Sequence, residues 1–171
     1  MSTSWPEPVA RVAAFLKDAG VEARLEEFES GAATAEDAAR AAGCTLAQIV
    51  KSLVLVCDDR PVLALVPGDR RADLAKIARA AESVEARIAK AKEVEDATGF
   101  SPGGVAPFPL PKIERVLIDR TLLAHQLVWV GAGSSSHMAA LSPAALARVT
   151  RAKTADAVQD SPYHSPREET H

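Results

Sequence analysis

The sequence predicts one α+β domain in which a mixed β-sheet, or a partly closed barrel, is surrounded by helices. Three observations support this fold class. The chain has 171 residues, a length typical of a single domain with a sizeable core. Helical and strand-like patterns are mixed along it without a regular alternation of strand and helix. Two runs rich in Val and Leu within residues 49–69 flank the sequence DDRP, which indicates a β-hairpin.

Five helices are predicted from the spacing of apolar residues and from end signals. The first covers residues 8–19, with Pro8 in its first turn and Gly20 after its end. The second begins after Thr34, because Asp37 follows at the spacing of an N-cap with an acidic first turn. The others follow Asp73, precede Gly99 and follow Ser142, and the helix after Asp73 is expected to turn Leu74, Ile77 and Ala81 inward.

Strand-like alternation and apolar runs predict the remaining elements. Residues 21–28 form one strand, the hairpin supplies two, and residues 115–119 and 126–131 supply two more. The sequence SSSHMAAL adds another short strand. From about residue 154 the chain is polar, and this end is expected to be mobile or loosely attached. The predicted domain therefore spans residues 1–150, and residues 151–171 form a polar C-terminal tail.

Composition and charge exclude several classes of protein. The net charge is -3 and the pI is about 5.8, which argues against broad, non-specific binding of nucleic acid. Cys44 and Cys57 are not part of a CxxC or Cys/His cluster, so no metal site is expected. No apolar stretch is long enough for a bilayer, and the N-terminus lacks the pattern of a signal peptide. We expect a soluble cytoplasmic protein, and the absence of dinucleotide and P-loop fingerprints predicts no cofactor.

The segment DATGFSPGGVAPFPLP, residues 96–111, carries the first candidate site. It contains three glycines, four prolines and almost no charge. Gly103 and Gly104 permit close approach of a ligand or another backbone, while Pro102 and Pro107 stiffen both sides. A flexible linker would instead be rich in Gly, Ser and charge. The segment is therefore either a carbonyl-binding wall of backbone N–H groups or a tight crossover between helix and strand.

Three further features are candidates, and each has a structural alternative. Lys51 stands at the start of an apolar strand, where it must extend to solvent, pair with another group or line a pocket. Asp69, Arg70 and Arg71 follow the hairpin, and they either form a turn and helix cap or hold a phosphate. His137, in GAGSSSHMAAL, is either a structural or exposed residue or a catalytic one.

These features occur together in a known family. The matching segments are TAEDAARAAGCTLAQIVKSLVL, LVPGDRRADLAKIA, TGFSPGGVAPF and the C-terminal part that begins IDRTLLAHQL. In their order and spacing they resemble the YbaK family, also called the prolyl-tRNA synthetase-associated editing domain. The resemblance covers roughly residues 8–150. Each motif alone is weak, and it is their common order that is specific.

The resemblance implies a trans-editing hydrolase that deacylates mischarged aminoacyl-tRNA, with a small amino acid on tRNA(Pro) or a related tRNA. The implied partners are the 3′ acceptor end of the tRNA and an aminoacyl-tRNA synthetase, without a metal. The family's lysine holds the phosphate or terminal adenosine of the tRNA, which assigns this role to Lys51. Its glycine loop binds the ester carbonyl and positions water, which assigns Gly99, Gly103 and Gly104, with Pro107 keeping the loop in shape. The further substrate-binding residues implied are Thr34, Ser52, Asp69, Arg70 and His137.

An aminoacyl ester is already activated, so its hydrolysis depends on positioning and oxyanion stabilisation more than on a strong nucleophile. The chain departs from relatives at Ser52, where some alanine-specific members have Asn, and at Phe108, where many have a small residue. These departures leave the edited amino acid open. Two other functions stay open as well: a non-catalytic binding or regulatory module that recognises a nucleotide, an aminoacyl-adenosine or a synthetase, and an esterase that uses His137 or Cys44.

Overall fold

The computed structural model describes residues 4–29 and 34–160, and within them the chain forms five α-helices and eight β-strands. The helices are α1 (Glu7–Asp18), α2 (Ala35–Ala42), α3 (Leu74–Ala80), α4 (Ala91–Thr98) and α5 (Pro143–Thr150). The strands are β1 (Arg24–Glu27), β2 (Val50–Cys57), β3 (Arg60–Pro67), β4 (Ala86–Ile88), β5 (Arg115–Asp119), β6 (Val128–Ser134), β7 (His137–Leu141) and β8 (Lys153–Ala155). Short 3₁₀ turns lie at Leu46–Gln48, Pro102–Gly104 and Arg120–Ala124.

The strands form two sheets, and the larger one is mixed. Its order is β4-β2-β3-β5-β8, with β2 and β3 paired as the predicted antiparallel hairpin and β3, β5 and β8 running parallel. The smaller sheet, β1-β7-β6, is antiparallel. A parallel bridge between Ile49 and Trp129 joins the start of β2 to the start of β6. The α+β fold with a mixed sheet is confirmed, and the sheets do not close into a barrel.

The predicted helix ends are confirmed by their hydrogen bonds. The hydroxyl of Thr34 accepts the N–H of Asp37 at 3.0 Å, and Gly43 ends α2 in the left-handed conformation with φ 69°. At the start of α3, the carboxylate of Asp73 accepts the N–H of Lys76 at 3.1 Å. These local signals act over three or four residues, which is why the sequence alone reveals them.

One inward-facing residue of α3 was predicted wrongly. Ile77 and Ala81 are buried as expected, but Leu74 is 38% exposed. Leu74 is the first residue of the helix, and the packed face begins one turn later at Ile77. Helical periodicity predicts which side chains face the same direction. It does not predict how far along the helix the packed surface of the sheet extends.

The core consists of three clusters of buried side chains. The largest joins both sheets to α1, and it includes Phe100, Val105, Ala106 and Phe108 from the glycine-rich segment. This segment is therefore packed into the domain. The second cluster lies between α3 and the five-stranded sheet, and the third lies between α2 and the three-stranded sheet.

Residues 153–160 are attached more firmly than their composition predicted. β8 pairs with β5, and Ala157 and Val158 are buried in the second core cluster. The expectation of a mobile or loosely attached end is therefore wrong for residues 154–160, because a polar segment can be held by backbone pairing that composition does not reveal. Residues 161–171 of the predicted tail lie outside the described residues.

Candidate functional site

The glycine-rich segment begins with a helix end. Gly99 stops α4 with φ 76°, and its N–H donates to the carbonyl of Glu95 at 2.9 Å. Its own carbonyl accepts a hydrogen bond from the Arg11 guanidinium at 3.2 Å, and that guanidinium also lies 5.0 Å from the centre of the Phe100 ring. Gly99 thus sets the direction in which the loop leaves the helix.

The glycine pair lies on β6, and its two members differ in environment. Gly104 is buried, and a Cβ on it would stand 2.7 Å from the Cα and 2.8 Å from the N of Ser134. Gly103 is exposed, and a Cβ on it would meet only the Cβ of Ser135 at 4.0 Å. Gly104 is therefore required by packing, whereas the backbone of Gly103 is the part of the pair that a substrate can reach.

Val105, the residue after Gly104, packs on β6 beside the start of β2. A Cβ on Gly131 would stand 2.5 Å from the carbonyl oxygen of Val105, so the two backbones touch there. The parallel bridge pairs Ile49 with Trp129, and Lys51 and Gly131 both follow two residues later. The loop and Lys51 are thereby brought to the same level of adjacent strands.

Lys51 is half-buried, and its ammonium group faces the turn after β3. Its Nζ donates to the carbonyl of Arg70 at 2.7 Å. Burial lowers the pKa of the Lys51 ammonium, the nearby carboxylates of Asp69 and Glu36 act to raise it, and Arg71 lowers it slightly. The structure therefore brings together three of the predicted residues, Lys51, Asp69 and Arg70, with the first turn of α2.

Thr34 reaches this cluster through the backbone packing of α2. A Cβ on Gly68 would stand 2.8 Å from the carbonyl of Leu46 and 3.1 Å from the Cβ of Ala35, the residue after Thr34. Gly68 therefore lets the turn that carries Asp69 and Arg70 lie directly against the start of α2. In this position Thr34 acts as the N-cap.

Ser52 projects to the face of the sheet opposite Lys51, because side chains alternate along a strand. It shares that face with Val50 and Val54, which belong to the core cluster that also holds Val105 and Ala106 of the loop. Within residues 4–29 and 34–160 its Oγ has no hydrogen-bond partner, and it is inaccessible to solvent. An unpaired hydroxyl in such a place is poised to accept or donate one hydrogen bond.

The guanidinium of Arg70 is directed away from the Lys51 ammonium and toward the end of the chain. It donates to the carbonyl of Gln159 at 2.5 Å and to that of Asp160 at 3.3 Å. Its Nε is buried and has no partner among the described residues. The contact of Arg70 with Lys51 is made by its main-chain carbonyl, which no sequence signal could reveal.

His137 is buried, with an exposed fraction of 4%, and both ring nitrogens face other side chains. Its Nδ1 lies 2.5 Å from the Oγ of Ser134, and its Nε2 lies 3.7 Å from a carboxylate oxygen of Glu27. The ring of Trp5 lies edge-on at 5.6 Å. Since Ser134 also packs against Gly104, His137 is joined to the glycine loop through this serine.

Pro107 and Phe108 are buried at the other end of the loop. They line a cavity of about 660 Å³ whose walls come from α1, α4, α5 and residues 109–113, and Lys51 is not among its lining residues. The Phe108 ring stacks on the ring of Phe15, with centroids 5.2 Å apart. Phe108 is thus fixed in the core by α1.

Sequence reasoning did not single out Ser134 and Gly131, which hold the loop on β6. Two glycines inside the apolar strand VWVGAGS are the signal that could have identified this contact, because a glycine in a strand often marks close approach of another backbone. Cys44, a candidate nucleophile, is half-buried, and burial raises the pKa of its thiol, which disfavours the reactive thiolate.

Two features are absent from the described part of the chain. No helix there has the length and apolar character needed to cross a bilayer. Among the same residues, no three His, Cys, Asp or Glu side chains are grouped so that they could hold a metal ion.

A family model described as "Aminoacyl-tRNA editing domain" matches residues 29–149. The chain belongs to this family. It is similar to "Uncharacterized protein YwhH" of Bacillus subtilis, with 34% identity over 130 residues that cover 75% of this chain and 82% of the relative. It is also 28% identical over 124 residues to "Putative Cys-tRNA(Pro)/Cys-tRNA(Cys) deacylase EbsC" of Enterococcus faecalis, covering 72% of this chain and 76% of that protein.

Solved structures agree with this assignment. The structure reported as "Crystal structure of a putative trans-editing enzyme for prolyl tRNA synthetase" superposes with a TM-score of 0.85 at 33% identity, covering 91% of this chain and 99% of that one. The resemblance inferred from the sequence motifs is therefore confirmed, and the family and its neighbours support an aminoacyl-tRNA deacylase role.

Proposed function

We propose that this editing domain is a trans-editing deacylase that hydrolyses mischarged aminoacyl-tRNA carrying a small amino acid on tRNA(Pro) or a related tRNA. The observation that carries the proposal is the placement of Lys51 and the glycine loop at the same level of β2 and β6, beside the Ile49–Trp129 bridge. Membership of the aminoacyl-tRNA editing family supports the reaction class.

Lys51 anchors the 3′ end of the tRNA in this proposal. Its ammonium is half-buried and has one main-chain partner, the Arg70 carbonyl, which leaves donor capacity for a phosphate or a ribose oxygen. The Asp69 and Glu36 carboxylates favour its charged form despite the cost of burial. One or two such contacts suit a terminal adenosine and its phosphate, and they require no extended basic surface.

The glycine loop supplies the carbonyl site. In the reaction a water oxygen adds to the ester carbonyl carbon, the bond to the ribose oxygen breaks, and the proton of the water passes to that ribose oxygen. Negative charge develops on the carbonyl oxygen, and the backbone N–H of Gly103 stabilises it. Gly104, the other predicted donor, is instead buried, and its N–H already donates to the Ser101 carbonyl at 2.9 Å, so it supports the loop and leaves the oxyanion to Gly103. Gly99 and Pro107 hold the two ends of the loop, so the donor is fixed before the substrate arrives.

Ser52 contributes to the aminoacyl site from the core side of β2. Its Oγ is unpaired among the described residues and inaccessible to solvent, and its neighbours Val50, Val54, Val105 and Ala106 are packed in the core cluster. His137 contributes to substrate binding from β7 through Ser134, and Thr34, Asp69 and Arg70 contribute from the Lys51 side. The expected partners are the 3′ acceptor end of the tRNA and an aminoacyl-tRNA synthetase.

A deacylation assay on a panel of mischarged tRNAs tests this function. We expect the wild type to hydrolyse at least one member, and Lys51→Ala to lower kcat/KM by about 10- to 100-fold, the cost of one lost charge-assisted hydrogen bond. Lys17→Ala, which removes an exposed lysine of α1, is the matched control and is expected to behave as the wild type. Full activity of Lys51→Ala would contradict the mechanism, and binding without turnover across the panel would indicate a non-catalytic module.

A further inference from the structure

The last described segment of the chain, residues 153–160, holds the turn that carries Arg70; we call it the C-terminal clasp. Its first part, β8, extends the five-stranded sheet beside β5. Its second part crosses to the turn between β3 and α3. The clasp lies outside residues 29–149, the part of the chain that the family model matches.

The backbone of the clasp pairs with the turn after β3. The N–H of Gln159 donates to the carbonyl of Arg71 at 2.8 Å, and the N–H of Asp73 donates to the carbonyl of Ala157 at 2.9 Å. Between these bonds an antiparallel bridge joins Ala72 to Val158. This pairing fixes the path of residues 71–73, immediately after the Arg70 carbonyl that contacts Lys51.

Side chains reinforce the pairing from α3. Lys76 directs its ammonium entirely at the clasp: its Nζ lies 3.0 Å from the Asp156 carboxylate, 2.8 Å from the Val158 carbonyl and 2.5 Å from the Asp160 carboxylate. Three acceptors match the three donors of an ammonium group. Hydrogen bonds from Lys76 lower the pKa of Asp156, and hydrogen bonds to the two aspartates raise the pKa of Lys76, so each of these two groups is favoured in its charged form.

A buried carboxylate anchors the clasp from the opposite side. Asp119, which is fully buried at the end of β5, accepts the N–H of Ala157 at 2.8 Å with one oxygen. Its other oxygen accepts the N–H and the hydroxyl of Thr121. Asp119 therefore binds the clasp at Ala157, and Lys76 binds it at the residues before and after Ala157.

We propose that the C-terminal clasp sets the position of the Lys51 ammonium, and that Lys76 and Asp119 are positioning residues for the reaction. The clasp fixes residues 70–73, and the carbonyl of Arg70 in turn holds Lys51 Nζ at 2.7 Å. The expected effect on catalysis rests on the proposed function. The effect of the clasp on Lys51 can be measured without any substrate.

The test compares Lys76→Met with Lys76→Arg and with Arg79→Met, a control that removes an exposed cation from the same helix. Trace acetylation, read by peptide mass spectrometry, reports the accessibility and freedom of Lys51 without any substrate. We expect Lys76→Met to raise the labelling of Lys51 several-fold and to raise KM for the mischarged tRNA about tenfold while kcat changes less, because anchoring is uniform binding. Lys76→Arg is expected to restore both values, and Arg79→Met is expected to leave both unchanged.

Unchanged labelling of Lys51 in a folded Lys76→Met protein overturns the proposal, as does a loss that appears in kcat alone. If Lys76→Met does not fold, the double variant Asp156→Asn and Asp160→Asn replaces it, because this variant removes both carboxylate partners of Lys76. The labelling of Lys51 and the KM for the mischarged tRNA are then measured in the double variant. If the wild type hydrolyses no member of the tRNA panel, the proposed function fails, and the labelling experiment still decides whether the clasp positions Lys51.

Discussion

Gly104 lies so close to the backbone of Ser134 that a Cβ on residue 104 would stand 2.7 Å from the Ser134 Cα. Ser134 Oγ in turn lies 2.5 Å from His137 Nδ1. The loop, the turn between β6 and β7 and the buried histidine therefore form one packed unit. We therefore expect a change at any of its members to alter the exposed backbone at Gly103.

The two neighbouring glycines are expected to respond differently to the same substitution. Gly104→Ala forces the loop away from β6, and we expect a loss of about 1–3 kcal/mol in the free energy of unfolding, the usual cost of overpacking. Gly103→Ala meets only the Ser135 Cβ at 4.0 Å and is expected to keep the stability of the wild type. Urea unfolding followed by circular dichroism measures both.

Deacylation kinetics of the same pair extend this prediction. Gly104→Ala is expected to lower kcat, because the displaced loop no longer offers the Gly103 N–H to the ester carbonyl. A Gly104→Ala protein with the stability and kcat of the wild type would show that the loop does not depend on its contact with Ser134.

Ser52→Ala is expected to raise the free energy of unfolding and to change the preference between amino acids. The buried hydroxyl has no partner among the described residues, so its removal relieves a desolvation cost, and we expect a gain of up to about 1 kcal/mol. Ser83→Ala is the matched control, because the Ser83 hydroxyl donates to the Ala81 carbonyl at 3.2 Å and its removal is expected to destabilise slightly.

Activity on the panel of mischarged tRNAs completes this test. If Ser52 binds the aminoacyl group, Ser52→Ala alters the ratio of kcat/KM values between amino acids. A stabilised variant with an unchanged ratio would remove Ser52 from the proposed site while leaving the Lys51 anchor intact.

The parts of the fold that sequence could predict are those specified locally. The Thr34 cap, the glycine ends of α2 and α4 and the β2–β3 hairpin each depend on residues within a few positions of one another. Lys51 was likewise identified as a candidate because a lysine at the start of an apolar strand conflicts with its surroundings.

The parts that sequence could not predict depend on contacts between distant segments. Arg70 donates to Gln159, 89 residues later, so its guanidinium pairs with main-chain carbonyls although its motif suggested a phosphate. Residues 154–160 are polar, so composition does not indicate that they are attached to the domain. Their attachment depends on hydrogen-bond donors and acceptors in distant segments of the chain. The opposite directions of Lys51 and Ser52 follow from strand geometry once the strand bounds are known.

Phe108 is expected to act on stability and not on the choice of amino acid. Its ring is buried and stacks on Phe15 of α1, so Phe108→Leu loses an aromatic pair worth about 1 kcal/mol and keeps most of the apolar burial. Phe15→Leu is expected to cost a similar amount, and the double variant less than the sum, with a coupling of about 0.5–1.5 kcal/mol. A change in the ranking of mischarged tRNAs by Phe108→Leu would instead place this ring in the substrate site.

The ion pair at the start of α4 makes stability depend on acid pH with a sign that can be worked out. Glu93 accepts two hydrogen bonds from the Arg87 guanidinium, each at 2.8 Å, and one from the N–H of Lys90 at 2.8 Å. These donors lower the pKa of Glu93 from 4.5 to about 2, with the Arg87 hydrogen bonds as the largest cause.

Because the pKa is lower in the folded state, the unfolded state binds more protons between these two values. The stabilisation is therefore complete above pH 4.5 and is lost as the pH falls toward about 2. Glu93→Gln keeps an acceptor for Lys90 but loses the charge that pairs with Arg87. We expect it to lower the Tm at pH 7 and to approach the wild-type Tm as the pH falls from 5 to 2.5. Glu114→Gln, which removes an exposed carboxylate without this pair, is the control. Only a charge-dependent contribution disappears when Glu93 is protonated. If the Tm difference between Glu93→Gln and wild type stays constant over that pH range, the pair with Arg87 does not contribute to folding stability.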